Sequence, residues 1–142
     1  MRIFAFALAL VQLVACHRSG IGSATFQKTL VNNPGSSSDG GRIYIANCSS
    51  CHQLDGRGVA GIFPALGGNA AVTGDPRRAI AAVKFGLRRA PTAGGAGGVM
   101  PAWNGLLSDA DIADVVTYIR FAWRNGAAPV SAAEVRAVSQ TP

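Results

Sequence analysis

Two cysteines and a histidine stand close together in the segment Cys48-Ser49-Ser50-Cys51-His52. On one turn of a helix, positions three and four apart share a face, so both thiols and the imidazole can reach one flat ring. Thiols at this spacing bond to the two vinyl groups of a porphyrin, and the histidine that follows coordinates its iron. The segment therefore predicts one covalently attached haem c per chain, with Cys48 and Cys51 as attachment points and His52 as an iron ligand.

Three other sites use the same residue types. A thioredoxin-like pair would lie in a βαβ unit, and the sequence near Cys48 shows no alternation of strands and helices. A four-ligand zinc site needs a second pair of ligands, which only Cys16 and His17 could supply. A disulfide between Cys48 and Cys51 stays open, but it would leave His52 without a role. We therefore favour haem attachment.

The N-terminal residues 1–15 have the pattern of a signal peptide. Arg2 is followed by Ile3–Ala15, which is apolar apart from Gln12 and too short for a bilayer that needs roughly 20 residues. The residues before Cys16 resemble a lipobox, which predicts a lipid-modified Cys16 and a periplasmic protein anchored to a membrane. An ordinary signal with an incidental cysteine is the alternative. Lipidation also explains the cysteine left over after the haem pair is assigned.

The composition predicts one folded domain behind a tether. Of the 142 residues, 49% are hydrophobic and 14% are charged, so a buried core can form. Residues 16–38 are small and polar, and a flexible linker of this length has a typical span of roughly 25 Å. We expect the domain to cover residues 39–142. It holds ten basic and seven acidic side chains, and 18 glycines in the chain suit irregular loops around a cofactor.

Capping residues and apolar spacing predict four helices in the domain. The first runs from about Gly40 into the haem motif, with Ser38 or Asp39 as its cap. The second starts at Asp75-Pro76 and ends at Gly86. The third starts at a capping box, and a second capping box starts a short terminal helix. The boxes are Ser108 with Asp111 and Ser131 with Glu134; the inward positions are Tyr44, Ala79, Ile80, Val83, Ile112, Val115, Val116, Ile119, Ala122, Trp123, Val135 and Val138.

Between the first two helices lies a glycine-punctuated loop, residues 54–69. Ile62, Phe63 and Leu66 are too apolar for a solvated loop, so we expect a haem face to cover them. A second irregular stretch, residues 87–100, contains the run Gly94–Gly98. That run lacks the context of a phosphate-binding loop and more readily lets the backbone pass close to a flat ligand.

Met100 is the methionine that remains once Met1 is removed with the signal. A lone methionine is more often core filler than a ligand. Met100, however, follows the glycine-rich run, precedes Pro101 and lies between two helices instead of on one. We therefore predict that its thioether is the second axial ligand of the iron, opposite His52.

The order of these features resembles class I cytochromes c over roughly residues 39–140. The resemblance rests on the first helix with Gly40 and Tyr44, the haem motif, Phe63-Pro64-Ala65-Leu66, Val99-Met100-Pro101-Ala102-Trp103, and Leu107-Ser108-Asp109 before the third helix. Residues 58–69 and 123–135 look like the haem c domains of bacterial membrane-bound dehydrogenases and oxidases.

The resemblance implies an all-α cytochrome c fold in which the first and last main helices cross near a right angle. Gly40 and Tyr44 would then meet Val115 and Tyr118. It also implies that the Pro64 carbonyl accepts the Nδ1 proton of His52. The family's propionate donors have no clear counterpart in this sequence, and Arg88, Arg89 and Trp103 are the candidates for haem contacts.

These features predict a one-electron carrier and not an enzyme. Sealed by His52 and Met100, the iron would transfer electrons to and from redox proteins, and Arg57, Arg88 and Arg89 could steer a partner with an acidic docking face. A dedicated subunit of a dehydrogenase or oxidase would differ only in its partner. The alternative is a haem peroxidase or ligand sensor in which Met100 leaves the iron. We expect no nucleic acid and no small-molecule substrate.

Overall fold

The computed structural model describes residues 37–88 and 97–140, and within these ranges the secondary structure is helical, with two isolated β-bridges. The predicted all-α fold is confirmed. The predictions for the signal, Cys16 and Arg89 lie outside the described residues, and so does the predicted tether up to residue 36. The helices are α1 (Ser37–Asn47), α2 (Ser49–His52), α3 (Ala70–Thr73), α4 (Pro76–Phe85), α5 (Asp109–Phe121) and α6 (Ala132–Ala137).

The central packing contact joins α1 to α5. Gly40 faces the main chain of Asp114 and the Cβ of Tyr118 so closely that a Cβ on Gly40 would overlap both. One turn later, Tyr44 is fully buried, and its ring centroid lies 5.4 Å from that of Tyr118. The predicted close crossing is therefore present, with Asp114 and Tyr118 as the residues against Gly40. Val115 is fully buried on the same helix.

The first helix differs from its prediction at both ends. It begins at Ser37, so Ser38 and Asp39 lie in its first turn and do not cap it. A carboxylate in the first turn stabilises the helix dipole, and Asp39 also pairs with Arg42. The helix then breaks at Cys48, and a separate turn of helix, α2, carries the rest of the haem motif.

The start of α4 agrees with the prediction. The Asp75 side chain accepts a hydrogen bond from the Arg77 amide at 3.0 Å, Pro76 is the first helical residue, and Gly86 ends the helix with a φ of 72°. The short helix α3 was not predicted. Its cap is Asn69, whose side chain accepts a hydrogen bond from the Ala71 amide at 2.9 Å. An asparagine before an apolar run is a typical helix start, and this was the signal in the sequence that could have predicted α3.

Both predicted capping boxes are confirmed, at Ser108 with Asp111 and at Ser131 with Glu134. The prediction that α5 continues through Trp123 is wrong, because the helix ends at Phe121. Trp123 adopts a φ of 52°, which turns its ring into edge contact with both Tyr44 and Tyr118. These aromatic contacts outweigh the local preference of a non-glycine residue for negative φ.

The terminal helix α6 packs on α4 through a lysine. Lys84 Nζ donates to the carbonyl oxygens of Val135 and Val138 at 2.8 and 2.9 Å, so it satisfies acceptors at the end of α6. As predicted, Val135 is fully buried, and Val138 packs against the core. None of the helices in the described ranges has the length and apolar character needed to cross a bilayer.

Candidate haem site

A cavity of about 460 Å³ opens between α2, α4, α5 and the two irregular segments. Its volume falls within the range of roughly 300–1,000 Å³ that is usual for cofactor sites. Both cysteines, His52 and Met100 line it, which brings together four residues from two distant parts of the sequence. The remaining lining is mostly apolar and includes Phe63, Pro64, Leu66, Val72, Ala79, Ala82, Val83, Leu87, Val99, Trp103, Val116 and Ile119.

His52 is held in one orientation. Its side chain is buried, and Nδ1 lies 3.0 Å from the carbonyl oxygen of Pro64. A carbonyl can only accept, so Nδ1 carries a proton, and in the neutral imidazole it is Nε2 that keeps a lone pair. Burial lowers the pKa of His52, while the hydrogen bond to Pro64 acts in the opposite direction. The net lowering of the pKa favours the neutral imidazole, whose Nε2 can bind a metal.

The loop that carries Pro64 is closed on itself by short contacts. Gly58, with a φ of 65°, lies so close to the carbonyls of Phe63 and Pro64 that any Cβ would overlap them. The Val59 amide donates to the Phe63 carbonyl at 2.9 Å, and the Gly58 amide donates to the His52 carbonyl at 2.9 Å. The glycine thus allows Pro64 to approach the turn of chain that follows His52.

The two cysteines are half-buried free thiols. Burial, and secondarily the neighbouring Cys51, raises the pKa of Cys48 to about 11. A thioredoxin-like pair depends on a lowered thiol pKa, so this environment disfavours that alternative. For the zinc alternative, no group of three or more His, Cys, Asp or Glu side chains in residues 37–88 and 97–140 is arranged so that it could hold a metal ion.

Met100 is positioned by the end of α4. Its amide and carbonyl exchange hydrogen bonds of 2.8 and 2.9 Å with Leu87, just beyond the helix. Further along, the amides of Trp103 and Asn104 donate to the carbonyls of Val83 and Lys84, both at 3.1 Å. These contacts satisfy acceptors at the end of α4 and hold the chain on both sides of the thioether.

Other predicted contacts have mixed outcomes. Phe63 and Leu66 line the cavity as expected, and so does Trp103, but Ile62 does not and is 50% exposed, so that part of the prediction is wrong. The carbonyl oxygen of Ile62 accepts a hydrogen bond from the Gly98 amide, so its main chain contacts the second irregular segment.

Among the predicted arginines, Arg57 and Arg88 are exposed and do not line the cavity, and Arg57 pairs with Asp55 at 3.3 Å. Arg78 does line it, together with Asn47 and Asn69, and sequence reasoning missed all three. For Arg78, the sequence carried no signal, because Ala82, four residues later on the same face of α4, was not a predicted inward position.

These residues fit a covalently bound haem. The donor set combines a buried neutral imidazole, a thioether and two thiols around an apolar cavity. Polar groups lie at only a few places on its wall, as in other cofactor sites. Nitrogen and thioether donors are those that haem iron accepts in proteins that transfer electrons.

Comparison with known proteins identifies relatives of this chain. The family model "Cytochrome c" matches residues 37–123. The cytochrome c subunit of the quinone alcohol dehydrogenase from Gluconobacter oxydans is 39% identical over 115 residues, which are 79% of this chain and 24% of that subunit. The cytochrome c subunit of gluconate 2-dehydrogenase from Pantoea cypripedii is 36% identical over 107 residues, 70% of this chain and 23% of the subunit. Cytochrome c-552 from Thermus thermophilus is 35% identical over 109 residues, 69% of this chain and 82% of the relative. The chain therefore spans about a quarter of the dehydrogenase subunits.

Proposed function

The chain belongs to the cytochrome c family and binds haem c covalently to transfer electrons, and we propose that His52 and Met100 are the two axial ligands of its iron. In this proposal Cys48 and Cys51 form the thioether bonds to the haem. The observation that carries it is the convergence of all four side chains on one apolar cavity.

The bound haem supplies a one-electron Fe(III)/Fe(II) couple. The chain's own contribution begins with His52, whose Nδ1–H bond to Pro64 keeps Nε2 free and fixes the plane of the ring. The neutral thioether of Met100 favours reduced over oxidised iron, so this ligand pair gives a higher potential than two histidines would. With His52 and Met100 both bound, the iron would have no open position for a substrate, which would restrict the site to outer-sphere transfer.

The apolar wall would keep water away from a bound haem. Val72, Val83, Val116 and Ile119 are buried, and all four line the cavity. A dry shell of this kind controls the local dielectric and therefore the potential of the couple.

The ligand assignment is tested with Met100→Ala. We expect the oxidised wild-type protein to show the weak charge-transfer absorption band of Met-ligated ferric haem, and the variant to lose it. The reduced variant should bind carbon monoxide, whereas the reduced wild type should not. Val99→Ala is the matched control, because Val99 also lines the cavity but is 70% exposed. A wild-type protein without the band, or one that binds carbon monoxide, would refute the assignment and favour the peroxidase or sensor alternative.

We further propose that the chain works as an exported relay in a dehydrogenase or respiratory chain, held at a membrane by lipidated Cys16. The dehydrogenase cytochrome subunits among its relatives support this setting, and the lipobox-like sequence supports the anchor. Cys16→Ser should move the protein from the membrane fraction to the periplasmic fraction. Co-purification with a dehydrogenase after detergent extraction would distinguish a subunit from a free carrier.

An acidic docking face on the partner is the last part of the proposal. The domain's net charge of +3 supports it, and Arg57, Arg88 and Arg89 are the candidates for steering. Replacing these three with Gln should slow association with the redox partner at low salt and have little effect at high salt. The matched control replaces Arg42, Arg124 and Arg136 with Gln, which removes the same charge from other exposed positions. Equal slowing by both sets would mean that only net charge matters.

A further inference from the structure

Arg120 is a buried cation on α5. Only 4% of its surface is exposed, although arginine is almost never fully buried without a partner. Its Nε donates to the Ala128 carbonyl at 2.9 Å, and one terminal nitrogen donates to the carbonyls of Val72 and Gly74 at 2.5 and 3.0 Å. The guanidinium therefore joins the end of α5, the turn after α3 and the segment before α6.

The partners of Arg120 are main-chain carbonyls and not carboxylates. Across residues 37–88 and 97–140, no carboxylate lies within ion-pair distance of its guanidinium. Arg120 contributes least to the lowered pKa of Glu134, and hydrogen bonds from Ser131 are its main cause. The carbonyl dipoles solvate the positive charge but do not neutralise it.

The guanidinium lies directly behind the wall of the haem cavity. Val72, whose carbonyl accepts from Arg120, lines that cavity, and so does Ile119, the residue before Arg120. Charges act over a longer range in such an apolar, water-poor region than they do at the surface. A positive charge there favours the iron state that carries one positive charge fewer, which is the reduced state.

We propose that Arg120 raises the reduction potential of the haem through its buried charge, in addition to holding Val72 in the cavity wall. The step it affects is the transfer of one electron from the donor protein to ferric iron, with no proton taken up and no bond formed or broken. The inference rests on the proposed function, because it requires a haem in this cavity.

The experiment compares Arg120→Gln, Arg120→Lys and Arg124→Gln as holoproteins by spectroelectrochemical titration. Arg124 is the matched control because it lies four residues away and is exposed. We expect Arg120→Gln to lower the equilibrium constant for reduction by about tenfold, which corresponds to about 59 mV for a one-electron couple. Arg120→Lys keeps the charge and should stay close to the wild type, even though it loses hydrogen bonds and unfolds at a lower temperature. Arg124→Gln should have a smaller effect that disappears at high salt, whereas the effect of Arg120→Gln should persist.

The outcomes separate charge from structure. If Arg120→Gln and Arg120→Lys shift the potential equally, Arg120 acts only through packing and the proposal is overturned. An unchanged potential in Arg120→Gln also overturns it. The absorption band of Met-ligated ferric haem is recorded for every variant, so loss of Met100 ligation, which concerns the proposed function, is recognised separately.

A second variant decides the question if Arg120→Gln does not fold. Ala128 is exposed, and its carbonyl accepts from Arg120, so Ala128→Asp adds a carboxylate near the guanidinium without emptying the buried position. We expect Ala128→Asp to lower the potential more than Ala133→Asp, an equally charged change at an exposed position of α6. Equal potentials in these two variants would overturn the proposal.

Discussion

The side chain of Asn125 binds the main chain of Gly68, although 57 positions separate the two residues. Its Oδ1 accepts from the Gly68 amide at 2.8 Å, and its Nδ2 donates to the carbonyls of Leu66 and Ile119 at 3.1 and 2.8 Å. One amide thus joins the end of α5 to the loop that carries Pro64. The orientation of His52 depends on that loop, so a residue far from the haem motif supports the candidate ligand.

Asn125→Ala should destabilise the holoprotein by about 2 kcal/mol, because three main-chain groups lose their partner at a half-buried site. Urea unfolding followed by haem absorption measures this loss. Faster exchange of the Gly68 amide would locate it at the contact. Asn104→Ala is the control, since Asn104 is exposed and hydrogen bonds through its main chain, and it should change stability by less than about 0.5 kcal/mol. Equal losses in the two variants would contradict the bridging role.

Gly40→Ala should be strongly destabilising. The added Cβ would overlap the main chain of Asp114 and the Cβ of Tyr118, and neither can move without separating α1 from α5. Overpacking of this kind costs about 3 kcal/mol, more than alanine gains over glycine within a helix. Thermal unfolding of the holoprotein checks the loss. Gly105→Ala, which meets no atom within 4 Å, should leave the unfolding temperature nearly unchanged. A Gly40→Ala protein as stable as the wild type would show that α1 and α5 leave room for a Cβ at this position.

Alanine substitutions at Gly56 and Gly68 distinguish the cost of backbone strain from the cost of steric overlap. Both have a φ of 69°, but a Cβ on Gly56 would lie 2.5 Å from the Trp123 ring, whereas one on Gly68 would meet nothing within 4 Å. Gly68→Ala should therefore cost about 1 kcal/mol for the left-handed conformation alone. Gly56→Ala should cost at least about 2 kcal/mol more, because the ring must leave its contacts with Tyr44 and Tyr118. Similar unfolding free energies for the two variants would mean that Trp123 can move away freely.

The stability of the protein should depend on pH through Glu134, which is the only glutamate of the chain. Hydrogen bonds from the Ser131 amide and hydroxyl lower its pKa from the ordinary value of 4.5. A lowered folded-state pKa stabilises the protein above the unfolded value and loses that contribution as the pH falls through the folded value. Relative to Glu134→Gln, the wild type should therefore unfold at a higher temperature near neutral pH, and the difference should shrink below pH 4.5. A difference independent of pH would show that the charge of Glu134 contributes nothing.

Local chemistry explains why much of this protein could be predicted from its sequence. The haem motif occupies five consecutive residues, and each capping box occupies four, so the interactions that define them form within one turn of chain. The same holds for the start of α4 at Asp75 and Pro76. The all-α class follows from these local signals, and so does the expectation that Met100 lies between helices and beside the haem.

Tertiary contacts decided the features that the sequence left undetermined. The left-handed conformation of Trp123 depends on Tyr44 and Tyr118, and α5 therefore ends before its apolar pattern does. Arg78 reaches the cavity and Ile62 faces outward because of the way α4 and the loop from Gly58 onward fold around that space.

Arg120 illustrates the limit of sequence reasoning most clearly. At the end of a helix, a basic residue suggests an exposed side chain that complements the helix dipole. In the structure, the carbonyls of Val72, Gly74 and Ala128 converge on it and bury it. The sequence alone determined that Cys48, Cys51 and His52 could hold the haem, because these neighbours along the chain form that signal. Where the charges lie around the haem was decided only by the tertiary structure, because those contacts join segments up to 48 positions apart.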